Sequence, residues 1–262
     1  VQYLCDAFKD TIDINKQNND GNTAFMLAAH HHKNEKVVQS LCDAFKDTID
    51  INKQNNDGEN AFMLAAQHKN EKVIQYLCNT FKYMVDINKQ DDNGYTTLML
   101  AAGFNTNEKV IQYLCDTFKD TIDINKQNNW NYTALMIALE SNEKVIPYLC
   151  DTFKGAIDIN KQDSDGMTAL MFAAKNNTNV AVIQYLYDKF KDEIHIKHQN
   201  YKNGYTALML AVQYNTNEKV TQYLCDTFKD EIDINIQNSC AYTALIIALE
   251  SNEKVIQYLC DT

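Results

Sequence analysis

Residues 159–174 read Ile-Asn-Lys-Gln-Asp-Ser-Asp-Gly-Met-Thr-Ala-Leu-Met-Phe-Ala-Ala, and versions of this stretch recur along the whole chain. The isoleucine that opens it returns every 35 to 38 residues, at Ile14, Ile51, Ile87, Ile124, Ile159, Ile196 and Ile234. Each version is followed by a second recurring segment, such as Asn-Glu-Lys-Val-Ile-Gln-Tyr-Leu-Cys at residues 107–115. A fixed period of this length is the sequence signature of a repeat array.

Each repeat contains the signals for two helices. A residue with a capping side chain precedes every alanine- and leucine-rich run: Thr23, Asn60, Thr96, Thr133, Thr168, Thr206 and Thr243. The run is apolar on all sides, so we expect this first helix to be covered on most of its surface. An asparagine opens the second segment: Asn34, Asn70, Asn107, Asn142, Asn179, Asn217 and Asn252. Apolar residues recur at helical spacing within this segment and predict one buried stripe.

Short polar turns separate the repeats. Five of them contain an Asp-Gly or Asn-Gly pair, which tolerates left-handed backbone: residues 20–21, 57–58, 93–94, 165–166 and 203–204. Neither helix of a repeat can bury its apolar face alone, so neighbouring repeats must stack. The sequence therefore predicts an all-α solenoid of stacked helix-turn-helix units, joined by short connecting fingers that resemble β-turns.

The quoted stretch resembles the signature of the ankyrin repeat family. Residues 165–174, Asp-Gly-Met-Thr-Ala-Leu-Met-Phe-Ala-Ala, are similar to the family pattern D-x-x-G-x-T-P-L-H-x-A-A, and the Asp-Ile-Asn segment is similar to its closing G-A-D-V-N. The resemblance implies an ankyrin-repeat solenoid whose finger tips and first helices form a concave surface that binds proteins. A tetratricopeptide array has a similar period, but its aromatic, Leu-Gly and proline positions are missing here.

The repeats depart from the family pattern in consistent ways. Alanine usually replaces the proline after the cap, and methionine or isoleucine replaces the histidine, as at Met26 and Ile246. A longer closing segment stretches the unit from about 33 residues to about 36. We interpret it as an extra helical turn anchored by a phenylalanine: Phe45, Phe81, Phe118, Phe153, Phe190 and Phe228. Without the histidine, we expect hydrophobic packing to fix the register between repeats.

The period divides the chain into one array. Residues 1–13 read as a partial repeat, and full repeats 1 to 6 span 14–50, 51–86, 87–123, 124–158, 159–195 and 196–233. Residues 234–262 form a truncated repeat 7. Neither end shows the polar outer face that closes a stable array, so we expect the chain to be a fragment of a longer protein.

One proline interrupts a predicted second helix. Pro147 stands in repeat 4 where the sister repeats have glutamine. Inside a regular helix, proline removes one hydrogen bond and crowds the preceding turn, at a cost of about 3 kcal/mol. We therefore expect repeat 4 to be bent or its first turn opened, and the Pro147→Gln substitution to raise thermal stability.

Composition and charge exclude several classes of partner. Asp and Glu outnumber Lys and Arg by 35 to 24, for a net charge of −11. A surface of this sign repels nucleic-acid phosphates and anionic lipids. No stretch approaches the ~20 apolar residues of a membrane span. We therefore expect a protein partner, neutral or basic, with no nucleic acid and no membrane insertion.

The cysteines are interpreted as core residues. Seven of the eight occupy one position of the second helix: Cys5, Cys42, Cys78, Cys115, Cys150, Cys225 and Cys260. Equivalent residues on stacked helices lie about 8–10 Å apart, which is too far for a disulfide. Buried, reduced cysteines indicate a reducing compartment. This favours the cytoplasm, of the producing cell or of a host cell if the protein is an effector. Cys240, at a finger tip, is the expected exception.

No catalytic, metal or cofactor site stands out from the repeat pattern. His30, His31 and His32 are consecutive, and consecutive helical residues do not share a face. His195 and His198 replace ordinary residues of the linker between repeats. We therefore expect no metal and no cofactor, and predict that the chain is not an enzyme.

Two function classes remain: a protein-binding module, and a structural spacer or scaffold segment with inert faces. The fingers of repeats 1 and 2 carry plain polar residues. From repeat 3 onward, large side chains stand at finger tips and first-helix ends: Tyr95, Phe104, Trp130, Tyr132, Met167, Tyr201, Tyr205, Tyr214 and Tyr242. Protein interfaces are enriched in aromatic residues and methionine. The sequence favours a binding module that uses these residues, with the alternative that the tyrosines pack on neighbouring turns.

Overall fold

A computed structural model describes residues 2–31, 35–68, 71–105, 107–251 and 253–261. All regular elements in these ranges are helices, and one isolated antiparallel bridge joins Gln17 to Thr23. Contacts divide the chain into two compact units, unit 1 (residues 1–129) and unit 2 (residues 130–262). Each unit is built from consecutive helix pairs.

The helices of unit 1 form two layers. They are α1 (Gln2–Phe8), α2 (Ala24–His30), α3 (Glu35–Phe45), α4 (Ala61–Gln67), α5 (Glu71–Phe81), α6 (Thr97–Phe104) and α7 (Glu108–Phe118). The first helices α2, α4 and α6 contact one another in chain order, and the second helices α1, α3, α5 and α7 do the same. Each repeat therefore adds one helix to each layer.

The helices of unit 2 follow the same plan. They are α8 (Ala134–Ser141), α9 (Ile146–Thr152), α10 (Ala169–Asn176), α11 (Val180–Phe190), α12 (Ala207–Tyr214), α13 (Glu218–Thr227), α14 (Ala244–Ser251) and α15 (Ile256–Asp261). Short 3-10 turns, Glu143–Val145 and Glu253–Val255, lead into α9 and α15. The even-numbered helices stack on one another, as do the odd-numbered ones.

The first helices begin at their predicted caps. The cap side chain accepts a hydrogen bond from the amide three residues later, at 3.0 to 3.4 Å, for Thr23, Asn60, Thr96, Thr133, Thr206 and Thr243. The prediction is wrong for Thr168, whose side chain makes no cap bond. In α4, Phe62, Met63 and Ala65 have no exposed surface. The apolar composition of these helices thus matches their burial.

The second helices confirm some predicted caps. Asn107, Asn179 and Asn217 accept from the amide two residues later, at 3.1 to 3.2 Å. Asn142 makes no cap bond, so that prediction is wrong. The other predicted caps, Asn34, Asn70 and Asn252, lie outside the described residues.

A buried phenylalanine ends or follows the second helix of each of repeats 1 to 6, as predicted. The carbonyl of Phe45 accepts from the amides of Thr48 and Ile49, both at 2.9 Å. The same pair of bonds forms at Phe81, Phe118, Phe153, Phe190 and Phe228. The longer closing segment is therefore a single hydrogen-bonded turn, anchored by the phenylalanine in the core.

Polar side chains, and not hydrophobic packing alone, link neighbouring repeats. Asn52 donates to the carbonyl of Met84 at 2.8 Å and accepts from the amide of Asp86 at 2.7 Å. Gln54 donates to the carbonyl of Gln90 at 2.8 Å. The same bonds recur at Asn15, Asn88, Gln17 and Gln90 in unit 1, and at Asn160 and Gln199 in unit 2. The expectation that packing fixes the register without side-chain bonds is wrong.

A buried asparagine after the first helix makes a further link. Asn105, only 1% exposed, donates to the carbonyls of Ala66 and His68 in the preceding repeat, both at 2.8 Å. In unit 2, Asn215 donates to the carbonyls of Ala174 and Asn177, at 2.8 and 2.9 Å. Each asparagine therefore satisfies two carbonyl groups near the end of a first helix, where intrahelical donors are missing.

The start of α9 is set by loop length and not by Pro147. Pro147 is the second residue of α9, where the helix needs no donor from it. In repeat 7 the same 3-10 turn precedes α15, although Gln257 stands at the equivalent position. Both repeats have one residue between the first helix and the 3-10 turn, whereas three separate α12 from α13. The first turn of the second helix in repeat 4 is therefore opened, as predicted. Because the same turn precedes α15, where glutamine stands at the equivalent position, the expected gain in thermal stability from Pro147→Gln no longer follows.

Candidate interaction surface

The fingers are rigid turns joined side by side. In repeat 3, the Asp91 carboxylate accepts from the amides of Asn93 and Tyr95, at 2.9 and 2.7 Å. The amide of Asp92 donates to the carbonyl of Asp57 in the neighbouring finger at 3.0 Å. In unit 2 the equivalent bonds run from Ser164 to Trp130, from Tyr201 to Asp165 and from Ser239 to Asn203, at 2.7 to 3.0 Å. Side chains at the tips are therefore presented from a fixed backbone.

Left-handed backbone shapes every finger. Gly166 has a φ of 82°, and a Cβ there would stand 2.5 Å from the backbone nitrogen of Tyr201. Glycine is therefore needed where the next finger approaches and presents Tyr201. Asn131 and Ala241 adopt the same backbone in repeats 4 and 7, with φ of 61° and 62°.

In unit 1, one aromatic pair lies between a finger and a helix end. Phe104, the last residue of α6, is 60% exposed. The half-buried ring of Tyr95 lies 6.4 Å from it, centroid to centroid. The fingers of repeats 1 and 2 instead expose Asn19, Asp20 and Asn56, with no aromatic residue. Among the finger tips and first-helix ends of unit 1, the exposed apolar surface is thus concentrated in repeat 3.

In unit 2, four of the predicted residues expose large aromatic rings. These residues, named here the aromatic face, are Trp130, Tyr201, Tyr214 and Tyr242, and between 36% and 69% of each is exposed. The ammonium group of Lys175 lies 5.5 Å from the centroid of the Tyr214 ring. The Glu250 carboxylate raises the pKa of the Tyr242 hydroxyl. Sequence reasoning missed Lys175 and Glu250 as neighbours of these rings.

The remaining predicted residues of unit 2 are more covered. Tyr205 and Met167 are buried, at 9% and 6% exposure. The ring of Tyr132 packs edge-on against Phe172 of the next repeat, with centroids 5.2 Å apart. Tyr205 lies 6.4 Å from the ring of Tyr214. These residues support the fingers from within, as the alternative interpretation expected for tyrosines beside the cap.

Six of the eight cysteines are buried, and Cys240 and Cys260 are exposed. The prediction that Cys260 lies in the core is wrong. It stands on α15, and no further second helix packs over α15 among the described residues, whereas the second helix of the next repeat packs over the earlier ones. Burial raises the pKa of four thiols to about 12: Cys42, Cys78, Cys115 and Cys150.

Thiol titration should therefore separate two classes of cysteine. The thiolate is the reactive form, and a pKa raised to about 12 keeps Cys42, Cys78, Cys115 and Cys150 protonated at pH 7 to 8. We expect Cys240 and Cys260 to react rapidly with an aromatic disulfide reagent in the native protein, and all eight cysteines to react after denaturation. Rapid reaction of more than two native thiols would contradict this assignment.

The histidines that the structure describes form no metal cluster. His30 and His68 face each other, with Nδ1 and Nε2 3.1 Å apart, while His32 lies outside the described residues. His195 is exposed, and His198 contacts Gln162 and the carbonyl of Gly166. Within the described ranges, no group of three or more His, Cys, Asp or Glu residues is placed to hold a metal ion. Nor does any described helix have the length and apolar character needed to cross a bilayer.

Comparison with known proteins identifies the repeats. A family model for ankyrin repeats (three copies) matches residues 1–91, 47–128, 78–163, 118–200, 152–238 and 192–262. The chain belongs to the ankyrin repeat family. It is similar to the crystal structure of the ankyrin repeat domain of Bcl-3, a unique member of the IkappaB protein family, with a TM-score of 0.70 and 22% identity over 92% of this chain and 100% of that chain. At this identity the likeness shows the fold alone. No curated protein sequence matches the chain.

The predicted fold class, an all-α ankyrin-repeat solenoid, is thereby confirmed. Ankyrin repeats are in general protein–protein interaction modules, and proteins of this fold are typically scaffolds without enzymatic activity. In such an array each repeat contacts only its neighbours. Exposed side chains can therefore change from repeat to repeat without loss of the fold.

Proposed function

We propose that the chain binds a protein partner through the aromatic face of unit 2. The observation that carries this proposal is the exposure of four aromatic rings, two of which, Trp130 and Tyr201, stand where sister repeats carry small or polar residues. The position of Trp130 is occupied elsewhere by Asp20, Asp57, Asn93, Asp165 and Cys240. Exposed aromatic residues in rigid settings are the typical anchors of protein interfaces.

A structural spacer explains this pattern less well. A spacer needs the same stacking in every repeat, and the polar fingers of repeats 1 and 2 already provide it. The backbone bonds that join the fingers do not need the rings of Trp130 and Tyr201, although the Tyr201 hydroxyl also donates to the side chain of Gln162 in the preceding repeat. In unit 1, the exposed Phe104, backed by Tyr95, is proposed as a separate and smaller contact.

The charge of the chain supports a neutral or basic partner. Glu140, Asp165 and Glu250 lie at finger tips and first-helix ends of unit 2, and the net charge is −11. Long-range attraction of this kind speeds association with a basic protein and disfavours nucleic acid. We also propose that the chain forms one array in a reducing compartment, since six cysteines are buried as free thiols.

The single tryptophan makes the proposal directly testable. Trp130 is the only tryptophan in the chain and is 48% exposed, so its emission reports on this one finger. Proteins captured from an extract of the producing cells are eluted. A purified candidate is then produced with 4-fluorotryptophan, which is almost non-fluorescent, in place of tryptophan, so that the emission comes from Trp130. Binding should shift the Trp130 emission to shorter wavelength and reduce its quenching by acrylamide.

The control is capture by a variant in which Trp130, Tyr201, Tyr214 and Tyr242 are replaced by serine. A genuine partner should be retained by the wild-type chain and lost from this variant, while circular dichroism confirms that the variant folds. Equal capture by both chains, or an unchanged Trp130 signal in the complex, would favour the spacer.

A further inference from the structure

A groove opens between the second helices of repeats 4 and 5. It has a volume of about 330 Å³, within the usual range for pockets that accept small groups. Its apolar floor is formed by Ile146 and Val182, which are 0% and 7% exposed. Pro147 and Tyr185 line it as well, and the Tyr185 hydroxyl donates to the carbonyl of Pro147 at 3.1 Å. This groove lies in the second-helix layer, away from the fingers.

In sister repeats a largely exposed lysine side chain, 64 to 73% of it accessible, lies at the equivalent place. Lys72 of repeat 2 pairs with Glu35 of repeat 1 at 3.3 Å. Lys109 of repeat 3 pairs with Glu71 of repeat 2 at 3.5 Å. The lysine is the third residue of the Asn-Glu-Lys motif, and the glutamate is the second residue of the same motif one repeat earlier. Each pair thus links the starts of two neighbouring second helices.

Repeat 5 lacks this lysine. Its motif reads Asn-Val-Ala at residues 179–181, so Ala181 stands at the lysine position. The glutamate of repeat 4, Glu143, is still present and lines the groove. No ion pair joins Glu143 to any residue that the structure describes. The groove is therefore a lysine site of the repeat pattern from which the lysine side chain is missing.

A second departure coincides with the first. Pro147 replaces the glutamine of the sister repeats, so one wall of the groove is an apolar ring instead of an amide. An aliphatic stem can pack on Pro147 and Val182 while a charged end reaches Glu143. Lys144, which also lines the groove, already has an interaction of its own within the protein. The charged group of the groove that has no ion-pair partner among the described residues is thus the carboxylate of Glu143.

We propose that this groove binds a lysine side chain of a protein partner, whose ammonium group pairs with Glu143 and whose methylene stem packs on Pro147 and Val182. The partner then supplies the residue that repeat 5 lacks. Lysine side chains bury their stems on apolar surface in this way while the charged end stays near water. The site is separate from the aromatic face, so either proposal can fail without the other.

The test uses the complete chain and an amino acid whose two backbone ends are blocked. Nα-acetyl-lysine methylamide, which keeps its side-chain ammonium group, is titrated into isotope-labelled protein. Nα-acetyl-norleucine methylamide, which has the stem without the ammonium group, serves as the matched probe. The amides of Glu143, Ala181 and Tyr185 should shift with the lysine probe. They should shift at least roughly fivefold less at equal concentration with the norleucine probe, because a charge-assisted contact is lost.

Three variants decide the assignment. Ala181→Lys restores the residue of the sister repeats and should abolish the shifts by filling the groove from within. Glu143→Gln should weaken binding of the lysine probe to the level of norleucine, and it carries the test if Ala181→Lys disturbs the fold. Glu71→Gln, at a glutamate already paired with Lys109, should leave binding unchanged. Equal shifts with both probes, no shifts at all, or full binding by Ala181→Lys would each overturn the proposal.

Discussion

Replacing Asn105 by alanine should lower the free energy of unfolding by about 3 kcal/mol. The side chain is buried and donates to the carbonyls of Ala66 and His68, which alanine leaves without this donor. A buried acceptor that loses its partner costs about 1–3 kcal/mol. A third bond, from the amide of Asn107 to the Asn105 side chain at 2.8 Å, is lost as well.

The matched control is Asn177→Ala. Asn177 holds the same position in repeat 5 and is 6% exposed, but among the residues that the structure describes its side chain bonds only to the amide of Asn179, at 2.9 Å. We expect a loss of about 1 kcal/mol. Urea unfolding followed by circular dichroism measures both variants, and an unchanged slope with denaturant shows that the comparison is valid. Equal losses would mean that the bonds to Ala66 and His68 contribute little.

The period and the helices could be predicted because their signals are local. A cap such as Thr96 bonds an amide three residues away, and the apolar stripe of a second helix lies within eleven residues. These short-range signals recur in seven repeats, so one repeat that lacks a cap bond does not obscure the pattern. Thr168 and Asn142, where the predicted cap bond is missing, are exceptions of this kind.

The bonds between repeats were harder to predict, because their partners lie more than 30 residues apart. Asn52 bonds to the carbonyl of Met84 and Gln54 to that of Gln90, and nothing in the local sequence marks those carbonyls. The sequence nevertheless contains one signal for these bonds. Asparagine and glutamine recur in nearly every Asp-Ile-Asn-Lys-Gln linker. An exposed linker without side-chain bonds would tolerate any polar residue there, so this recurrence indicates that the two side chains are bonded.

Exposure at the candidate site depends on the neighbouring repeat. Tyr95, Tyr132 and Tyr205 all precede a cap threonine, yet Tyr132 is covered by Phe172 and Tyr205 is buried beside Tyr214. Which residue covers each ring is decided by the first helices that stack beside it. The same holds for the groove at Glu143, which becomes visible only when Ala181 is compared with Lys72 and Lys109 in three dimensions.

Trp130→Ala should weaken binding to the protein partner by about thirtyfold. The ring is half exposed on a finger whose backbone is held by the bond from Ser164, and alanine keeps that bond. The substitution therefore removes contact area from the interface without loosening the finger. An aromatic anchor at the centre of an interface contributes about 2 kcal/mol or more, which corresponds to roughly thirtyfold in affinity.

The control for this loss is Asn19→Ala, on an exposed and plainly polar finger of repeat 1. Titration of both variants against the captured partner gives the two affinities, and circular dichroism establishes that each variant folds. Both substitutions truncate a finger residue. If only Trp130→Ala lowers the affinity strongly, the loss comes from the aromatic face and not from truncation of a finger as such. If the two variants bind equally well, the exposed rings of unit 2 do not hold the partner, and the array acts as a spacer in this contact.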